Sequence, residues 1–250
     1  MLARIIDDGV ATLTLQRAER GNALSPELVA ELSEGVERAC ADPSIHTLLL
    51  RADGPNFCTG FDLSDLDTCS EGDLLTRFVR IEELLAAIWH APIRTVAIAQ
   101  GRAWGAGADL FAVCELRIAT SDTTFRFPGA GFGLVLGSRR LSERVGADRA
   151  RQWVTGGLQV DAAEALSSGL ATAVVDTLDW SPQDVCPAPA VSRETAAAIR
   201  RATRADHRDA DLAALVRSAA APGLKGRIAA YREALRGAAR KASPPPLTER

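Results

Sequence analysis

Two glycine-bearing turns constrain this chain most: F-C-T-G-F-D-L at 57–63 and G-R-A-W-G-A-G-A-D-L at 101–110, each leaving a short apolar run. Such runs alternate with amphipathic stretches along the first two thirds of the sequence. Apolar runs at 2–6 and 10–15 flank Asp7-Asp8-Gly9, which predicts a β-hairpin with a tight turn. Further strands are expected at 46–50, 95–99, 116–119 and 172–176. Ser25-Pro26 reads as a helix start, with Ser25 capping and Pro26 at the first helical position. Leu28, Leu32, Val36 and Ala39 then recur on one helical face. Helices are also expected at 73–90, with Leu74, Phe78, Ile81, Leu85 and Ile88 facing inward, and at 105–113. Alternating strand–loop–helix units define an α/β class.

A chain of 250 residues, 47% of them hydrophobic and 24% charged, can bury a sizeable core, as one large domain or as one domain with an appendage. The net charge of −3 argues against nucleic acid as a partner. No stretch reaches the roughly 18–20 apolar residues of a membrane helix, and the N-terminus lacks a signal-peptide core, so a cytoplasmic protein is expected. Cys40, Cys58, Cys69, Cys114 and Cys186 are odd in number and lack C-x-x-C spacing. Reduced, mostly buried thiols are expected rather than a disulfide framework. His46, His90 and His207 have no metal-ligand spacing, so no metal is expected.

The chain is expected to be mostly helical from 138 onward. Asp161 and Glu164 form a capping-box pattern, and Gly169 is a candidate C-cap. A proline-bearing linker follows at 181–190, then Ala/Arg-rich helical sequence at 191–241.

The second glycine turn is not a dinucleotide fingerprint, because Leu110 stands where the third glycine belongs. Neither a P-loop nor a G-x-S-x-G elbow is present. Gly105 and Gly107 permit close backbone approach to a ligand and open a helix whose free N–H groups point outward. Two such N–H groups from two loops would make an oxyanion hole. Spacing alone favours tight structural connections.

Four collinear segments resemble the crotonase superfamily, the enoyl-CoA hydratase/isomerase family. R-A-E-R-G-N-A-L-S at 17–25 resembles R-P-x-x-x-N-A-L. Residues 48–63 resemble a strand followed by F-x-A-G-x-D-L, and 98–119 resemble A-V-N-G-x-A-x-G-G-G-x-E-L-A-x-x-C-D-x-R-I-A. Residues 154–175 resemble T-G-x-x-x-x-A-x-E-A-x-x-x-G-L-V, and 221–234 weakly resemble the C-terminal helix region. The resemblance implies a ββα spiral with a C-terminal helical region. The spiral core with its acyl-CoA site would span 1–180, a helical trimerisation region 190–241, and a disordered tail 242–250. It implies a homotrimer or hexamer acting on an acyl-CoA thioester. Coenzyme A would arrive as part of the substrate, with no tightly bound cofactor.

By motif position, the N–H groups of Phe61 and Ala106 would hold the thioester oxygen. Asp109 falls at the family's first catalytic carboxylate, one helical turn from Ala106. The helix dipole should favour its ionised form, suited to a base. The resemblance implies coenzyme A contacts at Arg20, Ala23, Cys58, Gly60, Gly105 and Lys225, with Arg17 beside them. Arg102 and Arg126 either face the pocket or are solvated. Trp104, Phe127 and Phe132 either line an acyl tunnel or pack in the core. Asp62 and Asp65 are read as loop caps.

Residues 125–137, F-R-F-P-G-A-G-F-G-L-V-L-G, match F-x-x-P-E-x-x-x-G-x-x-x-G, with Gly129 in place of the second family carboxylate. Gly137 stands where dienoyl-CoA isomerases carry a further Asp. The chain is therefore expected to isomerise or hydrate an enoyl-CoA with Asp109 as acid/base. The alternatives are a catalytically weak or partner-dependent acyl-CoA binder, or a decarboxylase or C–C lyase.

Overall fold

The computed structural model describes residues 1–177, 187 and 189–242; side chains are described through 234. The expected tail beyond 242, most of the 181–190 linker and Cys186 lie outside these residues, while Ala242 itself ends the last helix. Among the described residues nine strands run in chain order: β1 (Leu2–Asp7), β2 (Val10–Leu15), β3 (Thr47–Ala52), β4 (Arg94–Ala99), β5 (Arg102–Trp104), β6 (Leu116–Thr120), β7 (Thr124–Arg126), β8 (Gln159–Asp161) and β9 (Ala173–Val175). The described helices are α1 (Pro26–Ala41), α2 (Glu71–Trp89), α3 (Ala106–Val113), α4 (Ser138–Val145), α5 (Ala147–Gly156), α6 (Ala162–Ser168), α7 (Arg193–Thr203), α8 (Arg208–Ala219) and α9 (Leu224–Ala242).

The large sheet has the order β1-β2-β3-β4-β6-β9. Only the β1–β2 hairpin is antiparallel; every other pairing in it is parallel. Asp8 (φ 44°) and Gly9 (φ 72°) make its turn with two left-handed residues. β5, β7 and β8 form a second, smaller sheet. The chain therefore alternates between sheets before entering a helix: β4 in the large sheet, β5 in the small one, then α3. β6, β7 and a 3₁₀ turn at Pro128–Phe132 repeat the step. The three-residue strands of the small sheet lie below the length at which period-two alternation is readable, so the sequence does not announce them.

Helix starts follow local capping chemistry. The Ser25 hydroxyl accepts from the Leu28 N–H, with Pro26 at the first helical position as expected. α2 starts at Glu71 rather than 73, because Ser70 and Asp73 form a reciprocal capping box. At α6, Asp161 accepts from the Glu164 N–H at 2.8 Å. The return arm is missing there, because the Glu164 carboxylate accepts from the Trp153 indole at 3.2 Å.

The core lies between the large sheet and α1, α2 and α3. Leu28, Leu32, Val36, Ile81, Leu85 and Ile88 are all buried there, while Leu74 and Phe78 are buried in a second cluster with Leu215 and Leu224 of α8 and α9. Each such side chain contributes roughly 1.5–3 kcal/mol relative to exposure. No helix among the described residues is long and apolar enough to cross a membrane.

Candidate active site

The two glycine turns meet. A methyl group on Gly60 would lie 2.7 Å from the Trp104 carbonyl oxygen and 3.3 Å from the Ala106 nitrogen. One on Gly107 would lie 2.2 Å from the Cys58 carbonyl oxygen. Only glycine lets α3 approach the 57–60 segment this closely, and Gly60 (φ 96°) and Gly105 (φ 55°) also need left-handed backbone.

This contact aims two amides. Leu24 N–H donates to Gly60 O (2.8 Å) and Asp62 N–H donates to Leu24 O (3.2 Å). In that parallel bridge the Phe61 N–H points to the opposite side. Ala106 opens α3, so its N–H has no partner within the helix. Among the described residues neither amide has an acceptor. Phe61 and Ala106 line one cavity of about 970 Å³, its open mouth included.

The first turn is braced from outside. Arg17 pairs with Asp62 at 2.7 Å and donates to the Ala23 carbonyl at 2.8 Å. Arg77 pairs with Asp65 at 2.6 Å, donates to Asp62 O at 2.7 Å, and lies 4.1 Å from the Phe61 ring centroid. Asp62 also accepts from the Ser64 N–H at 2.9 Å, the loop-capping role read from its position.

Asp109 lines the same cavity and is the only carboxylate among the described residues that do so. It is 6% exposed, and among the described residues its carboxyl makes no hydrogen bond. Burial, reinforced by the nearby Glu82 carboxylate and opposed by Arg140, pushes its carboxyl well above the usual aspartate range. The shift runs opposite to the one expected from the helix dipole. Loss of water outweighs the partial charge of an eight-residue helix. Gly137 packs directly on this group: a methyl there would lie 2.0 Å from Asp109 Oδ1.

Behind Asp109 lies a buried ion pair that periodicity did not flag. Arg140 Nη2 and Nη1 donate to Glu82 at 2.5 and 3.1 Å, and Asp211 stands 3.2 Å from Nη2. Glu82 is on the inward face of α2, one turn from Phe78 and Leu85. A carboxylate at that position was the available signal.

The remaining candidates separate. Gly60 and Gly105 sit at the contact between the turns, and Gly105 lines the cavity. Cys58 is fully buried beneath it, with its thiol pushed up to about 12 by desolvation. Ala23 is buried, and Arg20 is exposed on a 3₁₀ turn. The Lys225 ammonium donates to the Asp67 and Cys69 carbonyls at 2.9 and 2.8 Å, so two of its three donors tie α9 to the loop before α2. The 970 Å³ cavity reaches none of Arg20, Ala23, Cys58 or Lys225. Arg126, Trp104, Phe127 and Phe132 line it, and Arg102 is exposed. Tyr231, drawn in from α9, also lines it and was unforeseen. Among the described residues no cluster of three or more metal-ligating side chains occurs.

The chain matches the enoyl-CoA hydratase/isomerase family model over residues 6–223. It is 35% identical to the "Probable enoyl-CoA hydratase echA6" of Mycobacterium leprae, over 73% of this chain and 75% of that one. A Bordetella parapertussis structure described as a "putative enoyl-CoA hydratase/isomerase" superposes with a TM-score of 0.89 at 43% identity, covering 97% of this chain and 99% of that one. An enoyl-CoA hydratase/isomerase structure from Xanthobacter autotrophicus Py2 gives a TM-score of 0.81 at 26% identity, over 96% of each chain. With this spiral fold and these matches, the chain belongs to the enoyl-CoA hydratase/isomerase family of the crotonase superfamily.

Proposed function

We propose that the protein binds an acyl-CoA thioester and moves a proton along its acyl chain, shifting a carbon–carbon double bond. The observation carrying this reading is the pairing of two acceptor-free amides with one carboxyl, Asp109, in one apolar cavity. The thioester oxygen lies between the amides of Phe61 and Ala106. Asp109, as carboxylate, removes a proton from the carbon next to the carbonyl of a β,γ-unsaturated ester. The C–H electron pair moves into a dienolate whose charge rests on the oxygen, where fixed donors stabilise it without reorganisation. The Asp109 carboxyl then returns the proton to the γ-carbon, and the double bond ends conjugated to the carbonyl. No net proton is gained or lost. A raised pKa suits this cycle, because it makes the carboxylate a stronger base.

Hydration needs a second group to orient and deprotonate water, and Gly129 leaves that wall without one. The nearest heavy atom to a methyl at Gly129 would be the Leu134 carbonyl oxygen, 3.5 Å away, so a side chain fits. The test compares isomerisation of a β,γ-enoyl-CoA with hydration of its α,β isomer. The wild type is expected to isomerise and to hydrate at least about a hundredfold more slowly, the scale on which one acid–base group acts. Gly129→Glu is expected to raise hydration. Faster hydration than isomerisation by the wild type would overturn the reading.

Gly137→Ala gives a second check. The added methyl meets the Asp109 carboxyl, and the residue's φ of 66° already disfavours a side chain. Displacing the carboxyl by about 1 Å is expected to lower kcat roughly a hundredfold, with less effect on KM. Unchanged kcat in a folded variant would show that this packing does not set the position of the carboxyl.

A further inference from the structure

We infer that the cavity selects acyl-CoA thioesters whose acyl group carries an aromatic ring. This rests on reading the cavity as an acyl-CoA site. The chain is poor in aromatic residues, with seven Phe, four Trp and one Tyr. Half of them, Phe61, Phe78, Trp104, Phe127, Phe132 and Tyr231, line this one cavity.

Four of these rings form a ladder that begins at the amide-bearing residue. Phe61 stacks on Phe78, with centroids 4.3 Å apart and planes 20° from parallel. Phe78 lies 6.5 Å from Phe132, and Phe132 lies 5.3 Å from Tyr231. Trp104 and Phe127 line the cavity without ring contact to that ladder among the described residues. An acyl group leaving the amides of Phe61 and Ala106 therefore runs along aromatic rings, with Phe61 offering its edge because Phe78 and Arg77 cover its faces.

Core packing accounts for Phe78 and Phe127, which are buried, but not for the other four rings. The ring cluster that serves only the core, Phe57, Phe111 and Phe125, has no exposure at all. Phe61, Trp104, Phe132 and Tyr231 are instead half-buried, with surface left open to the cavity. Gly129 and Gly131 on the facing 3₁₀ turn add no side chain to fill the space, and a methyl on Gly131 would lie 3.1 Å from the Tyr231 ring. Fixed rings at these tilts reward a flat, rigid guest through stacking or edge contact. A flexible alkyl chain gains only dispersion there and loses rotamer freedom on binding.

The test compares two nine-carbon thioesters with no alkene, 3-phenylpropanoyl-CoA and nonanoyl-CoA, by titration calorimetry on the full chain. The aryl ester is expected to bind about fivefold to tenfold more tightly. Phe132→Leu and Tyr231→Leu should each reduce that ratio toward one. Equal or tighter binding of nonanoyl-CoA overturns the inference while leaving the acyl-CoA reading intact. A wild-type preference that neither folded variant diminishes also overturns it. Failure of both esters to bind overturns the acyl-CoA reading itself, and the inference with it.

Discussion

Asp109→Asn is expected to lower kcat for double-bond migration by about 10²–10⁴-fold, the range in which a positioned acid–base group acts. Asparagine keeps the shape of the side chain but can neither take nor return the proton. Substrate binding should change little, because the amides of Phe61 and Ala106 and the aromatic wall are untouched. The same change carries a stability signature with a definite sign. The folded-state pKa of Asp109 lies above the unfolded one, so the folded protein holds the extra proton. Stability is then lost as pH rises from the ordinary aspartate range through the raised value. Above that range Asp109→Asn should melt higher than the wild type, and the difference should vanish in acid. In the wild type, kcat/KM should rise with pH through the same raised pKa, since the carboxylate is the active form. A variant that retains wild-type kcat would remove Asp109 from the reaction.

Arg140→Leu is expected to destabilise the fold by roughly 3–5 kcal/mol, because it leaves the Glu82 carboxylate buried without its bidentate partner. Both side chains are almost completely buried, at 1% and 3% exposure. Burial already pushes the Glu82 carboxyl up against the pull of Arg140. Without the guanidinium, folding favours protonated Glu82, so the variant should regain stability as pH falls. Replacing both residues, Glu82→Leu with Arg140→Leu, should recover most of the loss, as buried pairs exchanged for apolar groups commonly do. Denaturant midpoints for the two singles and the double close the cycle. A single variant as stable as the wild type would show that the pair carries no structural load.

The parts of the fold written in local chemistry were legible in the sequence. Asp8-Gly9 gave the hairpin, Ser25-Pro26 gave the start of α1, and the 3.6-residue spacing of Leu28 through Ala39 gave its buried face. Gly60 and Gly107 marked the turns that meet at the cavity, because a backbone contact this close leaves only glycine as a choice. What escaped depends on distant partners. β5, β7 and β8 are three residues each and exist through pairing between segments far apart in sequence. The ionisation of Asp109 is set by burial and by Glu82, 27 positions earlier, rather than by its own helix. Tyr231 reaches the cavity only because α9 folds back over the 3₁₀ turn at Pro128–Phe132, where its ring meets Phe132. Lys225, a coenzyme A contact by resemblance, donates to two backbone carbonyls of the loop before α2, a pairing that sequence alone does not show.

The central claim is that Asp109 exchanges a proton with the acyl chain while the Phe61 and Ala106 amides hold the thioester oxygen. Deuterium uptake at the carbon next to the carbonyl, followed by mass spectrometry in D₂O, tests it without knowledge of the physiological substrate. The probes are 3-phenylpropanoyl-CoA and nonanoyl-CoA, with their binding measured in parallel. The account predicts enzyme-dependent uptake in the wild type and its loss in Asp109→Asn, with the ester still bound. Uptake undiminished in that variant, or none in a wild type that binds the ester, would contradict it.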